Sequence, residues 1–405
     1  MAFQPPAADG RPASPPRRKF ISWLFDRALP ELEAGHLQLV LPNGHVIERH
    51  GAKPGPDARM EILRWQALAR MIVQGEHGFA DSYLAGDWTT PDLRRLLEFW
   101  MHNDTNVMEQ SSGSWISRLR NKAIHSVRTN TRRGSKHNIA AHYDLGNAFY
   151  KRWLDRGMNY SSGIYEGAVS LEDAQEAKLK RVADLLDLSG EEKVLEIGCG
   201  WGALLERLAR QHGCSVTGIT LSEEQLAFAQ SRLAKEVGNG AAEVRLQDYR
   251  DVSERYDRIA SIEMIEAVGE RYWTTYFNKI RSVLKQGGTV VLQAITIDES
   301  RYETYRAQPD FIQRHIFPGG MLPTVAIMEA IAKRAGLSLV HQETFPDSYA
   351  RTLEEWRNRF LGAWSEIEPL GFDQRFRRMW EYYLTYCEVG FRFRAINVGL
   401  FKFAG

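Results

Sequence analysis

Glu196 stands two residues ahead of a glycine series, Gly198-x-Gly200-x-Gly202, within Val194-Leu-Glu-Ile-Gly-Cys-Gly-Trp-Gly202. Glycines so spaced let a backbone turn sharply and come close to a ligand. The spacing is G-x-G-x-G rather than G-x-G-x-x-G. A carboxylate beside the turn suits a ligand with hydroxyls or positive charge better than a pyrophosphate. A second acidic pair lies in Glu263-Met-Ile-Glu266-Ala-Val-Gly269, directly after an apolar run. Two carboxylates there are costly to bury without partners. Either they sit in a solvated loop, or one of them orients a proton acceptor near a reacting group. Two further polar clusters end apolar runs: Thr220, Leu221 and Gln225, and Gln247-Asp248-Tyr249-Arg250. A carboxyl or amide in the latter can bond an adenine amino group, whereas Ser222 also reads simply as a helix N-cap.

Strands and helices in alternation must carry these residues. Val194, Leu195 and Ile197 read as a buried parallel strand, and Ala203–Arg210 has helical spacing. Further strands are expected at 215–219, 243–246, 257–262, 289–297 and 337–341. Helices are expected at 171–188, 202–211, 223–236, 271–284 and 324–335, with Gly287-Gly288 as a stop. That order predicts a parallel α/β sheet with ligand groups at successive strand ends. Upstream, residues 1–18 are proline-rich and predict a disordered tail. Residues 19–102 read as a separate α+β module. It has an apolar helical face from Phe20, a hairpin turning at Asn43-Gly44, and helices at 60–74 and 91–101 with Pro91 opening the second. A polar connection at 103–136 leads to a domain at 137–405, where His137–Asn147 and Met158–Gly163 suit a lid over the ligand pocket.

The bulk composition narrows the function classes. The chain has 405 residues and a formal net charge of +1, without the basic excess of a general nucleic-acid binder. Cys199, Cys214 and Cys387 are odd in number and lack paired metal spacing, which favours a reducing compartment and no disulfide framework. No apolar run reaches the roughly 20 residues of a spanning helix, and Arg17-Arg18 is followed by Asp26 and Arg27 too soon for an export signal. A cytoplasmic protein is expected. The stretch Phe311–Pro323 is apolar with Gly319-Gly320 inside it, and suggests a greasy substrate or core packing. Phe372, Phe376, Met379, Trp380, Tyr383 and Cys387 share a helical spacing punctuated by Arg375, Arg377, Arg378, Arg392 and Arg394. The stripe reads as core. The arginines suit either phosphate head groups or a solvated face.

The glycine turn resembles the first motif of class I S-adenosylmethionine (SAM) methyltransferases, whose ligand carries a sulfonium, an ammonium and a ribose. A more specific resemblance spans 137–402. His142-Tyr-Asp-Leu-Gly-Asn147, Tyr160-Ser161, Leu195–Gly202, Gly218-Ile-Thr-Leu-Ser222, Gln247–Arg250, Ile316-Phe-Pro-Gly-Gly320 and Tyr386-Cys387-Glu388 occur in the order seen in cyclopropane-fatty-acyl-phospholipid synthases and mycolic-acid methyltransferases. The N-terminal module resembles the extra domain of the bacterial synthases. The resemblance implies an α/β fold, a class I SAM-methyltransferase Rossmann-like sheet with a smaller N-terminal α+β domain. It implies an enzyme that adds a methylene to cis double bonds of phospholipid acyl chains, forming cyclopropane fatty acids.

By the same resemblance, Tyr160, Ser161, Glu196, Gly198, Gly200, Gly202, Thr220, Leu221, Gln225, Asp248 and Tyr249 bind SAM. Glu266 and Tyr349 hold a bicarbonate as the base, with a backbone contact at Ile295 and Cys387 beside the site. No metal is implied. Two positions depart from the family pattern: Ser162 replaces a cysteine whose backbone N–H meets the anion, and Gln293 replaces a histidine and cannot take up a proton. Two rivals follow, a same-fold fatty-acid methyltransferase giving a methylene or methyl-branched chain, and a SAM- or lipid-binding module without catalysis. The partner expected is an unsaturated phospholipid at the inner membrane surface, met through apolar residues around 311–322, with no nucleic acid and a homodimer left open.

Overall fold

The computed structural model describes residues 32–103, 145–236 and 242–405. The expected tail, the helix from Phe20, the connection beyond Asn103 and most of His137–Asn147 lie outside them. The chain divides into two compact units, the smaller made of segments 1–65 and 88–112 and the larger of 66–87 and 113–405.

The smaller unit holds a four-stranded sheet in the order β2-β1-β3-β4. Its strands are β1 (Ala34–Val40), β2 (Val46–His50), β3 (Lys53–Ile62) and β4 (Trp88–Thr89). The hairpin forms as expected, with Val40 opposite Val46 and Gly44 at φ 76°. Residues 60–62, expected as helix, instead finish β3. Ala58, Met60 and Ile62 are buried at alternate positions, the period of a strand. The following helix begins at Gln66. The helix Leu93–His102 is opened by Asp92, whose side chain accepts from the Arg95 N–H, so Pro91 precedes the cap.

The larger unit is built on a seven-stranded sheet ordered β10-β11-β9-β8-β5-β6-β7. In chain order these are β5 (Lys193–Ile197), β6 (Ser215–Thr220), β7 (Ala242–Leu246), β8 (Tyr256–Ile262), β9 (Leu284–Ile297), β10 (Ser338–Thr344) and β11 (Ile396–Ala404). β5 pairs in parallel with β6 on one side and β8 on the other, so the strand order reverses at β5. That reversal opens a crevice at the carboxyl ends of the strands. β11 was not expected; it runs antiparallel between β9 and β10. Its Leu400, Phe401 and Phe403 are fully buried, and Phe403 meets the Phe277 ring. The expected glycine stop falls inside β9, which starts at Leu284 and runs through Gly287-Gly288. The helices Leu171–Leu186, Ala203–His212, Glu223–Glu236, Trp273–Val283 and Val325–Arg334 stand where the apolar periodicity predicts. The first is fixed at its start by a Ser170–Asp173 capping box.

Phe311–Pro323 is not a plain loop. Asp310 caps a short helix Phe311–His315, and Phe311, Ile316 and Met321 are buried, so these side chains are not an exposed membrane patch. The aromatic stripe of the helix Gln374–Arg392 is core: Trp380, Tyr382, Tyr383 and Phe391 are buried. Of the basic groups on and just after it, Arg392 pairs with Glu388 and Glu354, Arg394 pairs with Asp347, and Arg377 and Arg378 lie over the Trp364 and Tyr83 rings, while Arg375 is exposed.

Candidate active site

At the end of β5 the chain turns through Gly198, Gly200 and Gly202, all at positive φ of 80°, 51° and 83°. L-residues with a side chain rarely adopt that conformation, which explains the glycines. The Gly198 and Cys199 N–H groups both donate to the Ile219 carbonyl at 3.0 Å, locking the turn to the end of β6. A Cβ added at Gly200 would meet nothing within 4 Å, so its backbone faces open space, whereas one at Gly202 would press on Ala229 at 3.1 Å. The space above the turn is lined by Tyr160, Ser161, Lys178, Glu196, Gly198, Gly200, Thr220, Leu221, Gln225, Gln247, Tyr249 and Glu263. Gly202 packs behind it, and the Asp248 carboxylate turns aside to make a bidentate pair with Arg250 at 2.8 and 2.6 Å. Thr220 Oγ1 donates to Gln225 Oε1 at 2.8 Å, tying the β6 end to the following helix.

Glu196 is 3% exposed, and its Oε2 has no hydrogen-bond partner among the described residues. Burial pushes its carboxyl up to about 8, with Lys178 pulling in the opposite direction. A buried orphan acceptor beside an open glycine turn fits the ammonium or ribose hydroxyls of SAM.

Lys178 itself was not legible as a site residue. It is buried, its Nζ donates to Ser161 Oγ at 2.7 Å, and burial lowers its pKa to about 8 against the attraction of Glu263, Asp155 and Glu196. With Gln175, which donates to the Ser161 carbonyl at 2.7 Å, it fixes the 158–163 stretch over the cofactor space. Asp155 steadies the same stretch by accepting from the Gly157 and Asn159 N–H groups.

At the inner end lies the acidic pair, and it is arranged differently from expectation. Tyr349 Oη donates to Glu263 Oε2 at 2.6 Å and not to Glu266. Glu263 Oε1 accepts from the Ser162 N–H at 2.8 Å and from Gln293 Nε2 at 2.7 Å. Glu266 Oε1 accepts from the Ile295 N–H at 2.5 Å, and its Oε2 is buried without a partner among the described residues. Burial raises the pKa of both carboxyls. The negative Glu263 raises Glu266 further, to about 8, while Tyr349, Ser162, Gln293 and Lys178 oppose the rise at Glu263. A charge on Glu263 disfavours a second charge on Glu266 in this buried setting, and the donors decide which of the two ionises. The negative charge belongs on Glu263.

Glu263 also stands at φ 49°, a left-handed conformation that costs a β-carbon-bearing residue about 1–2 kcal/mol. Its own N–H donates to the Gln293 carbonyl at 2.8 Å, which holds it there. The neighbouring turn is fixed from below, because the Met321 N–H donates to the Glu266 carbonyl at 2.9 Å. Cys387 lies on the helix Gln374–Arg392, where burial pushes its thiol well up; a charge there would act on Tyr349 and Tyr383.

Around the pair stands a wall of rings, buried except for the half-buried Tyr160. Tyr349 stacks on Phe391 with centroids 4.4 Å apart, and Trp356 meets Tyr349 edge-on at 6.1 Å. Tyr160 packs against Tyr150, Trp153 and Trp356, and its hydroxyl bonds that of Tyr383 at 2.9 Å. Such a wall keeps water from the reacting groups.

The expected bicarbonate does not fit this arrangement. Its expected donors, the Ser162 N–H, Gln293 and Tyr349, are taken by Glu263, and the Ile295 N–H is taken by Glu266. An added anion would meet two carboxyl groups and no free donor of that set.

A parallel sheet with an antiparallel strand inserted beside β9, and a glycine turn with a buried carboxylate at its central strand, define a class I SAM-dependent methyltransferase. The model of the mycolic acid cyclopropane synthetase family matches residues 130–401, and the chain belongs to that family. It is 38% identical to the tuberculostearic acid methyltransferase UfaA1 of Mycobacterium tuberculosis, over 89% of this chain and 86% of that one. Identity to the cyclopropane-fatty-acyl-phospholipid synthase of Escherichia coli is 34%, over 87% and 88%. The solved mycolic acid cyclopropane synthase CmaA1, complexed with SAH and CTAB, superposes with a TM-score of 0.63 at 28% identity, covering 67% of this chain and 98% of that one. The protein is therefore an enzyme, and the reading as a non-catalytic binding module falls.

Proposed function

We propose that the protein methylates the cis double bond of an unsaturated acyl chain in a membrane phospholipid and closes the product to a cyclopropane. The observation that carries this reading is a buried, donor-held carboxylate at the inner end of the cofactor space, enclosed by aromatic rings. Bound SAM supplies an electrophilic methyl group. The protein's own residues do the rest. Glu196 and the open backbone at Gly200 orient the cofactor, with Thr220, Leu221, Gln225 and Tyr249 along its length. The ring wall excludes water that would trap a carbocation, and aromatic faces tolerate its passing charge.

Two relatives support an acyl substrate by name, the Escherichia coli synthase and the tuberculostearic acid methyltransferase. The second also favours a second reading, in which the same methylation ends in a methylene or methyl-branched chain. Expression in cells that lack cyclopropane lipids separates the two. Ring formation and methylene formation both add CH2, so NMR of the new lipid is the readout, with cyclopropane ring protons expected. No transfer of label from methyl-labelled SAM into any lipid overturns both readings.

On this reading the enzyme meets its substrate at the inner membrane surface. No helix among the described residues is long and apolar enough to cross a membrane. Co-sedimentation with vesicles of unsaturated anionic phospholipid is expected, weakened by salt to the extent that charge contributes. Failure to bind such vesicles with or without SAM counts against a phospholipid carrier.

A further inference from the structure

We propose that Glu263 is the base of the reaction, its carboxylate standing where the expected bicarbonate would be held, so that this enzyme needs no bicarbonate. The proposal rests on the alkene-methylation reading above. Three donors expected to grip an external anion, the Ser162 N–H, Gln293 Nε2 and Tyr349 Oη, converge instead on the two oxygens of this one side chain. That geometry leaves the carboxylate ionised and oriented, as a bound anion would be. Glu263 also lines the cofactor space with Gly198, Thr220 and Met264. One oxygen of Glu266 is spent on the Ile295 N–H, and none of the three donors reaches the other.

The two departures from the family pattern belong with this carboxylate. A glutamine at 293 donates an amide hydrogen to Glu263 without adding a proton of its own. Ser162 directs its hydroxyl to the Gly163 carbonyl at 2.8 Å and offers Glu263 only its backbone N–H. The left-handed backbone at Glu263 turns the side chain into the donors, a strain retained where the surroundings over-determine it.

The step balances. The alkene π pair forms a C–C bond to the transferred methyl carbon and leaves the old S–C pair on sulfur, and positive charge moves to the other alkene carbon. A C–H pair of the new methyl then closes the ring to that carbon, and the proton passes to a Glu263 oxygen. The carboxylate becomes a neutral carboxyl and returns its proton to water after product leaves.

The test uses the full-length protein, Glu263→Gln and Glu263→Gly, each with and without carbonate depletion. The glycine variant suits the positive φ and opens room for an anion. Wild-type turnover should be unchanged by depletion. Glu263→Gln should lose roughly 10²–10⁴ in kcat, with affinity for S-adenosylhomocysteine, measured by calorimetry, held within about threefold. Glu263→Gly should be comparably slow in depleted buffer and regain activity when bicarbonate is added. Carbon-13 bicarbonate should show line broadening with that variant and none with wild type. Bicarbonate-dependent turnover or line broadening in the wild type, or a Glu263→Gln variant within about threefold of wild-type kcat, overturns the assignment. A wild type that labels no lipid at all overturns the underlying functional reading instead, and the proposal with it.

Discussion

The Tyr349 hydroxyl donates to Glu263 Oε2 at 2.6 Å, while Glu266 turns away to the Ile295 N–H. The tyrosine therefore serves one member of the acidic pair and leaves the other in an apolar setting. Neighbouring carboxyls in unequal surroundings take unequal roles, one ionised and one neutral near pH 7.

Tyr349→Phe removes one of the donors that favour the ionised Glu263 and keeps the ring that stacks on Phe391. Losing a hydrogen bond to the charged form raises an acid's pKa. The acid limb of the kcat–pH profile should move upward, and kcat at pH 7 should fall by about 10–100-fold, the scale of a charge-assisted hydrogen bond. The melting temperature should also fall by a few degrees, because Glu263 Oε2 loses its donor in a buried site. A profile that keeps its acid limb in place contradicts the pairing.

Glu266→Gln tests the neutral member. Its folded pKa is raised from 4.5 to about 8 by burial and by Glu263. Between those values the folded protein holds a proton that the unfolded chain releases. The stability this supplies is full below pH 4.5 and is lost as pH rises through about 8. The amide mimics the protonated form at every pH, so the variant's melting temperature should decline less than the wild type's between pH 6 and 8.5. At pH 8.5 the variant should melt higher by about 2 °C or more. Turnover at pH 7 should fall by less than about tenfold, well short of the loss expected from removing a base.

The sheet was largely legible because its strands and helices alternate with clear periods, and β5 with its glycine turn stood out in composition alone. β11 was missed because Ile396–Ala404 follows a long aromatic helix, and pairing between β9 and β10 is a relation across the whole chain. Lys178 was missed because a lysine on an amphipathic helix ordinarily faces water; here Ser161 draws its Nζ inward. Glu263 and Glu266 were visible as a pair. Which of them meets Tyr349 depended on the left-handed backbone at 263, which residue types alone do not announce.

Gly200→Ala probes the turn. A Cβ there meets nothing within 4 Å in the protein itself, so loss of fold is not a steric consequence, although φ of 51° adds strain. The methyl instead projects into the space assigned to the cofactor. Calorimetry should show SAM affinity reduced by about tenfold or more, with a melting temperature lowered by only a few degrees, roughly 1 kcal/mol. Unchanged affinity in the folded variant removes the cofactor from this turn.

Glu196→Gln asks whether the orphan carboxylate answers the cofactor's positive and hydroxyl groups. In the free enzyme burial holds its pKa at about 8, so near pH 7 the carboxyl is mostly protonated. A ligand bringing an ammonium or ribose hydroxyls to Oε2, which lacks a partner among the described residues, favours the ionised form and drives the proton off. SAM binding at pH 7 should therefore release close to one proton. The measurement is the dependence of the calorimetric enthalpy on the ionisation heat of the buffer. The apparent affinity should therefore rise with pH from 7 to about 8 and level off above pH 8.5, where release shrinks because the free enzyme has already lost that proton. Glu196→Gln should abolish the release and weaken SAM by about 10–100-fold, the worth of a hydrogen bond to a charged group. A wild type that binds SAM without releasing a proton, or a variant that still releases one, shows that Glu196 does not contact the cofactor.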